Sequence, residues 1–248
     1  PGRRYVGVCA PGRKIKEVQI TVYASLLAAA GTLYKKYGKA VDPWMTLVGY
    51  FNTTRELGGT RTLLRDDIST ALKQMDKQGL ETRHLWDNGI EELTSRINAD
   101  RIKNILEKME VPFDPFTDAE RKAAAERAQE NKSAYDGPPR PADVLLATNM
   151  ISVGVDIDRL GLMVIMRQPK TTAEYIQASS RVGRSQQAPG LVFTLFNWAH
   201  PRDLSHYEVF EHYHQTFYKH VEAISVTPFS ARALDRGLSA LLVSLVRL

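Results

Sequence analysis

Three short apolar runs between residues 142 and 196 constrain the fold of this chain more than any other feature. The runs span Val144 to Ala147, Leu162 to Met166 and Leu191 to Phe196. Turn-forming residues bound each run, and the runs are too short for core helices, so we predict three buried strands. One helix is predicted between the last two strands. It begins at a capping box formed by Thr171 and Glu174 and ends at Gly183.

Most of the chain before residue 110 also alternates between strand and helix patterns. The predicted elements are strands at 5–10, 44–51 and 81–86, and helices at 17–37, at 56–78 and from a cap near Asn98 onward. This alternation predicts an α/β fold, a doubly wound, mostly parallel sheet with helices on both faces. With 248 residues, of which 43% are hydrophobic, the chain is long enough to bury one full core.

Two segments depart from this alternation. In residues 111–141, prolines bracket an alanine-rich stretch of balanced charge, which predicts an inserted helix that is exposed or forms a mobile arm. Residues 199–248 are rich in histidine and aromatic residues and predict a helical C-terminal appendage to a lobe formed by residues 1–198. The sequence ends without a stop signal, so we interpret the chain as a fragment with a truncated extension.

Five of the six histidines lie in this extension. Clustered histidines suggest zinc, but the segment has no cysteine and no H-E-x-x-H pair, so no metal site is predicted. Helical spacing instead predicts an amphipathic helix that packs onto the lobe or onto a partner. The residues at this spacing are His206, Phe210, Tyr213, Phe217 and His220. A second helix is predicted from Ser230 onward.

Charge, cysteine content and hydrophobic run length indicate the possible binding partners and the cellular compartment of the protein. The net charge of +5, from 33 basic and 28 acidic residues, permits binding to a polyanion without requiring it. The single cysteine, Cys9, forms no internal disulfide, which is typical of a reducing cytoplasm. No apolar run approaches the roughly 20 residues that span a bilayer, and no leader is recognisable. We therefore expect a cytoplasmic protein that does not enter a membrane.

The helix predicted before Gly183 carries Gln177, Arg181 and Arg184 at spacings of four and three residues, which places them on one helix face. Two interpretations fit the two arginines. Cations near a helix C-terminus interact favourably with the helix dipole. Alternatively, the two guanidinium groups form a phosphate clamp, because each keeps its charge and presents a planar fork of donors.

The loop after the first of the three strands favours the phosphate clamp. It carries a hydroxyl at Thr148, a position of close backbone approach at Gly154 and a carboxylate at Asp156. We expect these residues at the carboxyl edge of the sheet, where ligands bind in open α/β sheets. The structural alternative is a simple turn at Gly154 and a cap at Asp156.

Three stretches resemble motifs IV, V and VI of the second RecA-like lobe of superfamily 2 helicases. The stretches are YFNTTREL at 50–57, ATNMISVGVDI at 147–157 and QASSRVGR at 177–184. The resemblance implies a RecA-like fold. Asn149, Ala178 and Ser180 depart from the residues that many members carry. These departures affect the details of contact with the nucleic-acid strand.

The resemblance implies nucleotide contacts for residues of motifs V and VI. Gly154, Asp156 and Gln177 would help to form the nucleotide site. Arg181 would contact the terminal phosphate of ATP, and Arg184 would insert across the cleft as the arginine finger.

Nucleic-acid contacts are implied for Thr148 and for the motif IV residues. The motif IV residues are Asn52, Thr53, Thr54 and Arg55. A helix cap at Asn52 or Thr53 is the structural alternative, and it is compatible because a cap leaves backbone N–H groups free for a phosphate. In many members a short polar loop before a helix also lies near the bound strand, and here it would be Thr94, Ser95 and Arg96. A structural role is the alternative for these three.

A second resemblance rests on the extension and one internal segment. PRDLSHYE, SVTPFSARALDRGL and ELTSR resemble the helicase component of bacterial DISARM anti-phage systems, and more distantly helicases that act beside a DUF1998-type module. This resemblance favours DNA over RNA, although no residue here tests for a 2′-hydroxyl. It implies two partners, the first RecA-like lobe of the same protein and a DUF1998-type DISARM protein.

Together these features predict the second motor lobe of an ATP-dependent DNA helicase or translocase in anti-phage defence. ATP and Mg²⁺ would bind mainly on an absent first lobe, because Gly38-Lys39 is no Walker A motif: Leu33 and Ala40 stand where glycine and Ser or Thr are required. We expect no ATPase activity from this chain alone. The alternative is a non-catalytic RecA-like module that binds nucleic acid or assembles a larger complex.

Overall fold

The chain folds around a parallel sheet. The computed structural model describes residues 2–132, 134–149, 156–222 and 230–247. Within these residues six strands pair in the order β1-β6-β5-β2-β4-β3, and every pairing is parallel. The strands are β1 Arg3–Cys9, β2 Leu47–Phe51, β3 Ile90–Leu93, β4 Val144–Ala147, β5 Leu162–Met166 and β6 Gly190–Phe196.

Helices connect the strands and cover the sheet. The α-helices are α1 Ile15–Tyr37, α2 Asp42–Met45, α3 Thr54–Leu63, α4 Ser69–Leu72, α5 Ala99–Glu110, α6 Pro115–Glu130, α7 Thr172–Ser179, α8 Pro201–Glu208, α9 Phe210–Gln215 and α10 Ala231–Arg247. The predicted RecA-like, doubly wound α/β architecture is therefore confirmed. No helix among the described residues combines the length and the apolar character needed to cross a membrane.

The sheet separates two apolar layers because successive strand residues point to opposite faces. On one face, Leu47 and Phe51 pack with α1, α3 and α4. On the other face, Val48 and Tyr50 pack with α5, α7 and α9. Gly49 allows α1 to approach β2 closely, since a Cβ at this position would lie 2.5 Å from the hydroxyl oxygen of Tyr23.

Several predicted element boundaries need correction. The run at 44–51 begins as a helical turn, α2, because Pro43 stands in its first turn, and the strand starts only at Leu47. The helix predicted at 56–78 is α3, a π-helical turn at Leu64–Ile68, α4 and a 3₁₀ turn at Met75–Gln78.

The strand predicted at 81–86 is wrong. Arg83 turns inward and donates hydrogen bonds to the carboxylate of Asp143 at 2.6 Å and to the carbonyl oxygen of Met45 at 2.8 Å. These contacts hold the segment beside the starts of β2 and β4, where it pairs with no strand, and the edge strand forms at Ile90–Leu93 instead.

The insertion at 111–141 forms helix α6, whose inner side contacts the lobe. Tyr34 of α1 donates a hydrogen bond to Asp118 at 2.5 Å, and Ala124 is fully buried. Arg121 is also buried, where it pairs with Asp118 at 2.6 Å and donates to the carbonyl oxygen of Pro139. The helix therefore has a packed polar side that its composition did not predict, while most of its other residues are exposed.

The extension packs onto the lobe through two aromatic residues. Tyr213 of α9 and Phe217 after it are buried in the same apolar layer as Tyr5 and Tyr175. The single helix predicted here is broken into α8, α9 and a 3₁₀ turn at Phe217–His220. Beyond residues 223–229, α10 exposes several leucine and valine side chains.

Candidate functional site

The carboxyl ends of β2, β4 and β3 bring three predicted nucleic-acid loops to one edge of the sheet. Tyr50 pairs with Ala147, and Ala147 pairs with Leu93, so the loops that begin at Asn52, Thr148 and Thr94 follow neighbouring strands at matched positions. The amide of Thr148 donates to the carbonyl oxygen of Leu93 at 3.3 Å, which joins the last two loops directly.

The motif IV loop caps helix α3, as one of the two interpretations predicted. The Thr53 side chain accepts a hydrogen bond from the amide of Glu56 at 3.2 Å and donates to the Glu56 carboxylate at 3.1 Å. Thr53 is therefore the N-cap of α3. Asn52 donates to the carbonyl oxygen of Met166 at 3.1 Å, while Arg55 is exposed and Thr54 half-buried.

The other two loops differ in what they expose. The side chains of Thr94 and Thr148 are buried, whereas those of Ser95 and Arg96 are exposed. Asn98 then caps α5 by accepting from the amide of Arg101 at 3.0 Å. The exposed side chains of these loops therefore include the hydroxyls of Thr53 and Ser95 and the guanidinium groups of Arg55 and Arg96, which suit a phosphate backbone.

Helix α7 begins as predicted but ends earlier. Thr171 caps it by accepting from the amide of Glu174 at 3.1 Å. The last helical residue is Ser179, so Arg181 and Arg184 lie in the loop that follows rather than on the helix face of Gln177. Gly183 adopts a left-handed backbone, φ +65°, inside this loop, which we call the arginine loop, residues 180–189.

The arginine loop lies at the amino-terminal edge of the sheet. The amide of Gly183 donates to the carbonyl oxygen of Leu160, two residues before β5, at 2.7 Å. Arg3, the first residue of β1, donates to the carbonyl oxygens of Ser180 and Val182 at 2.9 and 2.8 Å. These contacts anchor the loop beside the starts of β1 and β5.

Arg184 forms an ion pair with Asp156 in this position. The structure therefore brings these two predicted residues together, but at the edge opposite to Thr148, and the expected placement of Asp156 at the carboxyl edge is wrong. The reason is topological: Asp156 belongs to the segment that enters β5, not to the end of β4. Gly154 lies outside the described residues, and Gln177 is exposed on α7.

Two charged residues at the carboxyl edge were missed by sequence reasoning. Arg167 directly follows β5 with a left-handed backbone, φ +65°, and pairs with Asp203 at 3.0 Å and Glu56 at 3.7 Å. Glu222 accepts hydrogen bonds from the amides of Thr172 and Ala173 at the start of α7. These hydrogen bonds, chiefly the one from Thr172, lower the pKa of the Glu222 carboxyl.

The position of Arg167 was recognisable, because it follows a buried strand just as Asn52 and Thr148 do. The role of Glu222 was not, since it depends on a contact with a residue 50 positions away.

Over residues 2–132, 134–149, 156–222 and 230–247, no group of three His, Cys, Asp or Glu side chains has the arrangement of a metal site. His214 instead bonds the Tyr175 hydroxyl at 3.1 Å and the carbonyl oxygen of Phe210 at 2.7 Å. Both interactions belong to core packing.

Comparison with known proteins identifies relatives of this chain. The family model of the helicase conserved C-terminal domain matches residues 90–186. The DISARM protein DrmA of Bacillus paralicheniformis (strain ATCC 9945a / NCIMB 11709 / CD-2) is 45% identical over 250 residues, which cover all of this chain and 20% of DrmA. The chain thus spans about a fifth of that relative.

Two solved helicase structures share the fold. A structure of the DUF1998 helicase MrfA bound to DNA has a TM-score of 0.55 at 14% identity, covering 93% of this chain and 25% of MrfA. Helicase Lhr of Mycobacterium smegmatis, bound to single-stranded DNA and AMP-PNP, has a TM-score of 0.52 at 11% identity, covering 91% of this chain and 23% of Lhr.

Proposed function

We propose that this chain is a helicase C-terminal domain of the superfamily 2 type and that it forms the second motor lobe of an ATP-driven DNA translocase. The helicase C-terminal match over residues 90–186 and the 45% identity to DrmA over all of this chain support the proposal. One observation carries the proposal. The three strand-end loops lie together at the carboxyl edge of the sheet, and the Arg184–Asp156 pair lies at the opposite edge. The lobe thus has two separate polar surfaces. One is suited to a nucleic-acid strand, and the other to a nucleotide held by a neighbouring lobe.

The carboxyl edge is the proposed DNA surface. The backbone amides at the start of α3 and the exposed Arg55, Ser95 and Arg96 would bind phosphates, with Asn52, Thr53 and Thr54 shaping the first loop. Thr94 and Thr148 are buried, so their contribution would be through the backbone of their loops. Contacts of this kind favour no base sequence.

The arginine loop is the proposed nucleotide surface. ATP with Mg²⁺ would supply the phosphoryl group on the first lobe, and this chain would supply positive charge opposite it. Arg184 is the proposed finger and Arg181 the proposed phosphate contact, and Asp156 and Gln177 are proposed nucleotide contacts beside them. Gly154 is a further proposed nucleotide contact that lies outside the described residues. Asp156 holds the guanidinium of Arg184 until lobe closure brings a phosphate to replace the carboxylate.

Helix α7 links the two surfaces. It starts at the carboxyl edge, where Tyr50 donates a hydrogen bond to Glu174 at 2.6 Å, and leads into the arginine loop. Its eight residues span about 12 Å at the usual helical rise. We propose that a shift of this helix on ATP binding moves the strand-end loops along DNA by a step.

We further propose that this activity serves anti-phage defence and that a DUF1998-type protein is a partner; the similarity to the DISARM protein DrmA supports the defence role. The test is ATP hydrolysis with and without single-stranded DNA by a protein that joins this chain to a first RecA-like lobe. We expect DNA-stimulated hydrolysis by the joined protein and none by the 248-residue chain alone. DNA binding without any hydrolysis by the joined protein would instead support the non-catalytic binding module.

A further inference from the structure

A cavity lies at the amino-terminal edge of β2, β3 and β4, away from both surfaces described above. It has a volume of about 380 Å³ and lies between α1, α6 and the segment before β3. Its walls include the aromatic side chains of Tyr34, Trp86 and Phe113 and the cationic side chains of Arg83, Lys122 and Arg140. The volume is within the usual range of small-molecule pockets, roughly 300 to 1,000 Å³.

Arg83 places a buried cation beside the cavity. Its side chain is only 9% exposed, and its Nη2 atom is fully engaged by Asp143 and by the carbonyl oxygen of Met45. The Nη1 atom is buried and has no hydrogen-bond partner among the described residues. Because Nη1 is closed to solvent, a ligand in the cavity does not reach it in this arrangement, and Arg83 contributes to the cavity as a positive charge beside the wall.

The charges around the cavity are only partly neutralised. Asp143 pairs with Arg83 and Asp118 pairs with Arg121, each at 2.6 Å. Within the described ranges, no carboxylate forms an ion pair with Lys122 or Arg140. The cavity therefore has a net positive rim, which favours an anionic group.

The aromatic walls favour a planar group. Trp86 is 55% exposed, although a tryptophan side chain is ordinarily among the more buried types. The guanidinium of Arg140 lies 5.6 Å from the Trp86 ring centroid and 4.6 Å from that of Tyr135. Phe113 lines the inner wall, with Arg83 at 5.3 Å from its ring centroid.

We propose that this cavity binds a nucleotide unit, as a free nucleoside monophosphate or as the 5′-phosphorylated end of a single strand. The base lies among Trp86, Tyr34 and Phe113. The phosphate binds Lys122 and Arg140 at the rim. Stacking on aromatic residues combined with arginine contacts is a general means of holding bases without sequence preference. The inference does not depend on the proposed motor function.

Calorimetric titration of the 248-residue chain tests the proposal. The probes are dTMP and dAMP, the matching nucleosides and inorganic phosphate, together with oligothymidine carrying either a 5′-phosphate or a 5′-hydroxyl. The variants are Trp86→Ala, the double variant Lys122→Gln/Arg140→Gln, and Arg83→Lys, which keeps a cation beside Asp143. Lys73→Gln is the control, because this exposed lysine does not line the cavity.

We expect the monophosphates to bind more tightly than nucleosides or phosphate alone. Trp86→Ala and the double variant should each weaken binding about tenfold, as loss of one stacking or charge contact does, while Lys73→Gln leaves it unchanged. Trp86 is largely exposed, so its variant remains folded even if Arg83→Lys does not.

The two sources of the nucleotide unit give different results. A strand end is the ligand if the 5′-phosphorylated oligonucleotide displaces the monophosphate and the 5′-hydroxyl oligonucleotide does not. A free nucleotide is the ligand if only the monophosphates bind. The proposal is overturned if inorganic phosphate binds as tightly as the monophosphates, if no probe binds at millimolar concentration, or if Trp86→Ala leaves affinity unchanged.

Discussion

The guanidinium of Arg184 pairs with the carboxylate of Asp156 at the amino-terminal edge of the sheet, within a loop that the Gly183 amide fixes to Leu160. The pair is partly solvated, since the side chains are 31% and 74% exposed. Such pairs contribute little to stability, so its significance is positional: the carboxylate holds the proposed finger in place before a phosphate arrives.

The Asp156→Asn variant separates the contribution of the ion pair to stability from its role in positioning Arg184. We expect it to change the free energy of unfolding by less than about 1 kcal/mol, because exposed ion pairs are weak. In a protein that includes the first lobe, DNA-stimulated ATP turnover should fall several-fold, since Arg184 is no longer positioned. Urea unfolding and steady-state ATPase assays measure the two quantities. Asp158→Asn, at a nearby exposed carboxylate, is the control, and an equal loss of turnover there would refute the positioning role.

Binding of single-stranded DNA at the carboxyl edge predicts how its affinity depends on salt concentration. Arg55→Ala and Arg96→Ala each remove one exposed cation beside the strand-end loops. Each should weaken binding of an oligothymidine and reduce the slope of log K against log salt by about 0.7, the value for one phosphate contact on a single strand. Fluorescence anisotropy at several salt concentrations gives the slope. Arg127→Ala on α6 should leave it unchanged, and identical slopes for all four proteins would exclude this edge.

The packing of the extension onto the lobe predicts that two neighbouring aromatic residues contribute unequally to the free energy of unfolding. Phe217 is 8% exposed and lies 5.4 Å from the Tyr175 ring, centroid to centroid, whereas Tyr218 is 78% exposed. Phe217→Ala should reduce the free energy of unfolding by about 3 kcal/mol, and Tyr218→Ala by less than about 0.5 kcal/mol. Denaturant titrations measure both. Equal, small effects would mean that the extension does not stabilise the lobe.

Two half-buried histidines, His206 and His214, predict that stability falls in mild acid. Burial lowers the pKa of His214 and of His206, with a further contribution from Arg202 at His206. The unfolded chain, with histidine pKa values of about 6.5, therefore binds protons that the folded chain does not. This contribution to stability is full above the unfolded pKa and is lost as pH falls below it.

The free energy of unfolding, measured between pH 7.5 and pH 5, should therefore decrease with falling pH. A double variant, His206→Gln/His214→Gln, should show a smaller decrease, whatever its absolute stability. The exposed His84→Gln serves as the control. A double variant whose pH slope matches that of the wild type would disprove the assignment.

Local sequence was sufficient for the central strands and for the caps. The apolar runs of β4 and β5 have the predicted bounds, and Thr53, Asn98 and Thr171 cap helices, as local hydrogen-bonding chemistry dictates. The edge strand β3 was not predicted, because Glu91 and Glu92 interrupt its apolar pattern. The charge of Glu91 is balanced by Lys108 at 2.8 Å, a partner that no local pattern identifies.

The placement of the candidate site could not be predicted for the same reason. The end of α7 is set by the contact of Gly183 with Leu160, and the edge of Asp156 is set by the path of the chain into β5. The position where α7 ends and the sheet edge at which Asp156 lies thus both depend on residues distant in sequence. Sequence reasoning identified which residues belong together, Arg184 and Asp156, but not the side of the sheet on which they meet.

The central claim is that Arg184 supplies charge to a nucleotide held by another lobe, and the most direct test is DNA-stimulated ATP turnover by an Arg184→Ala variant of a protein that includes both lobes. The account predicts that kcat falls by about 10³ or more while ATP affinity changes little, as for arginine fingers in other nucleotide hydrolases. Arg127→Ala should retain wild-type turnover. Normal DNA-stimulated hydrolysis by the Arg184→Ala protein would contradict the claim.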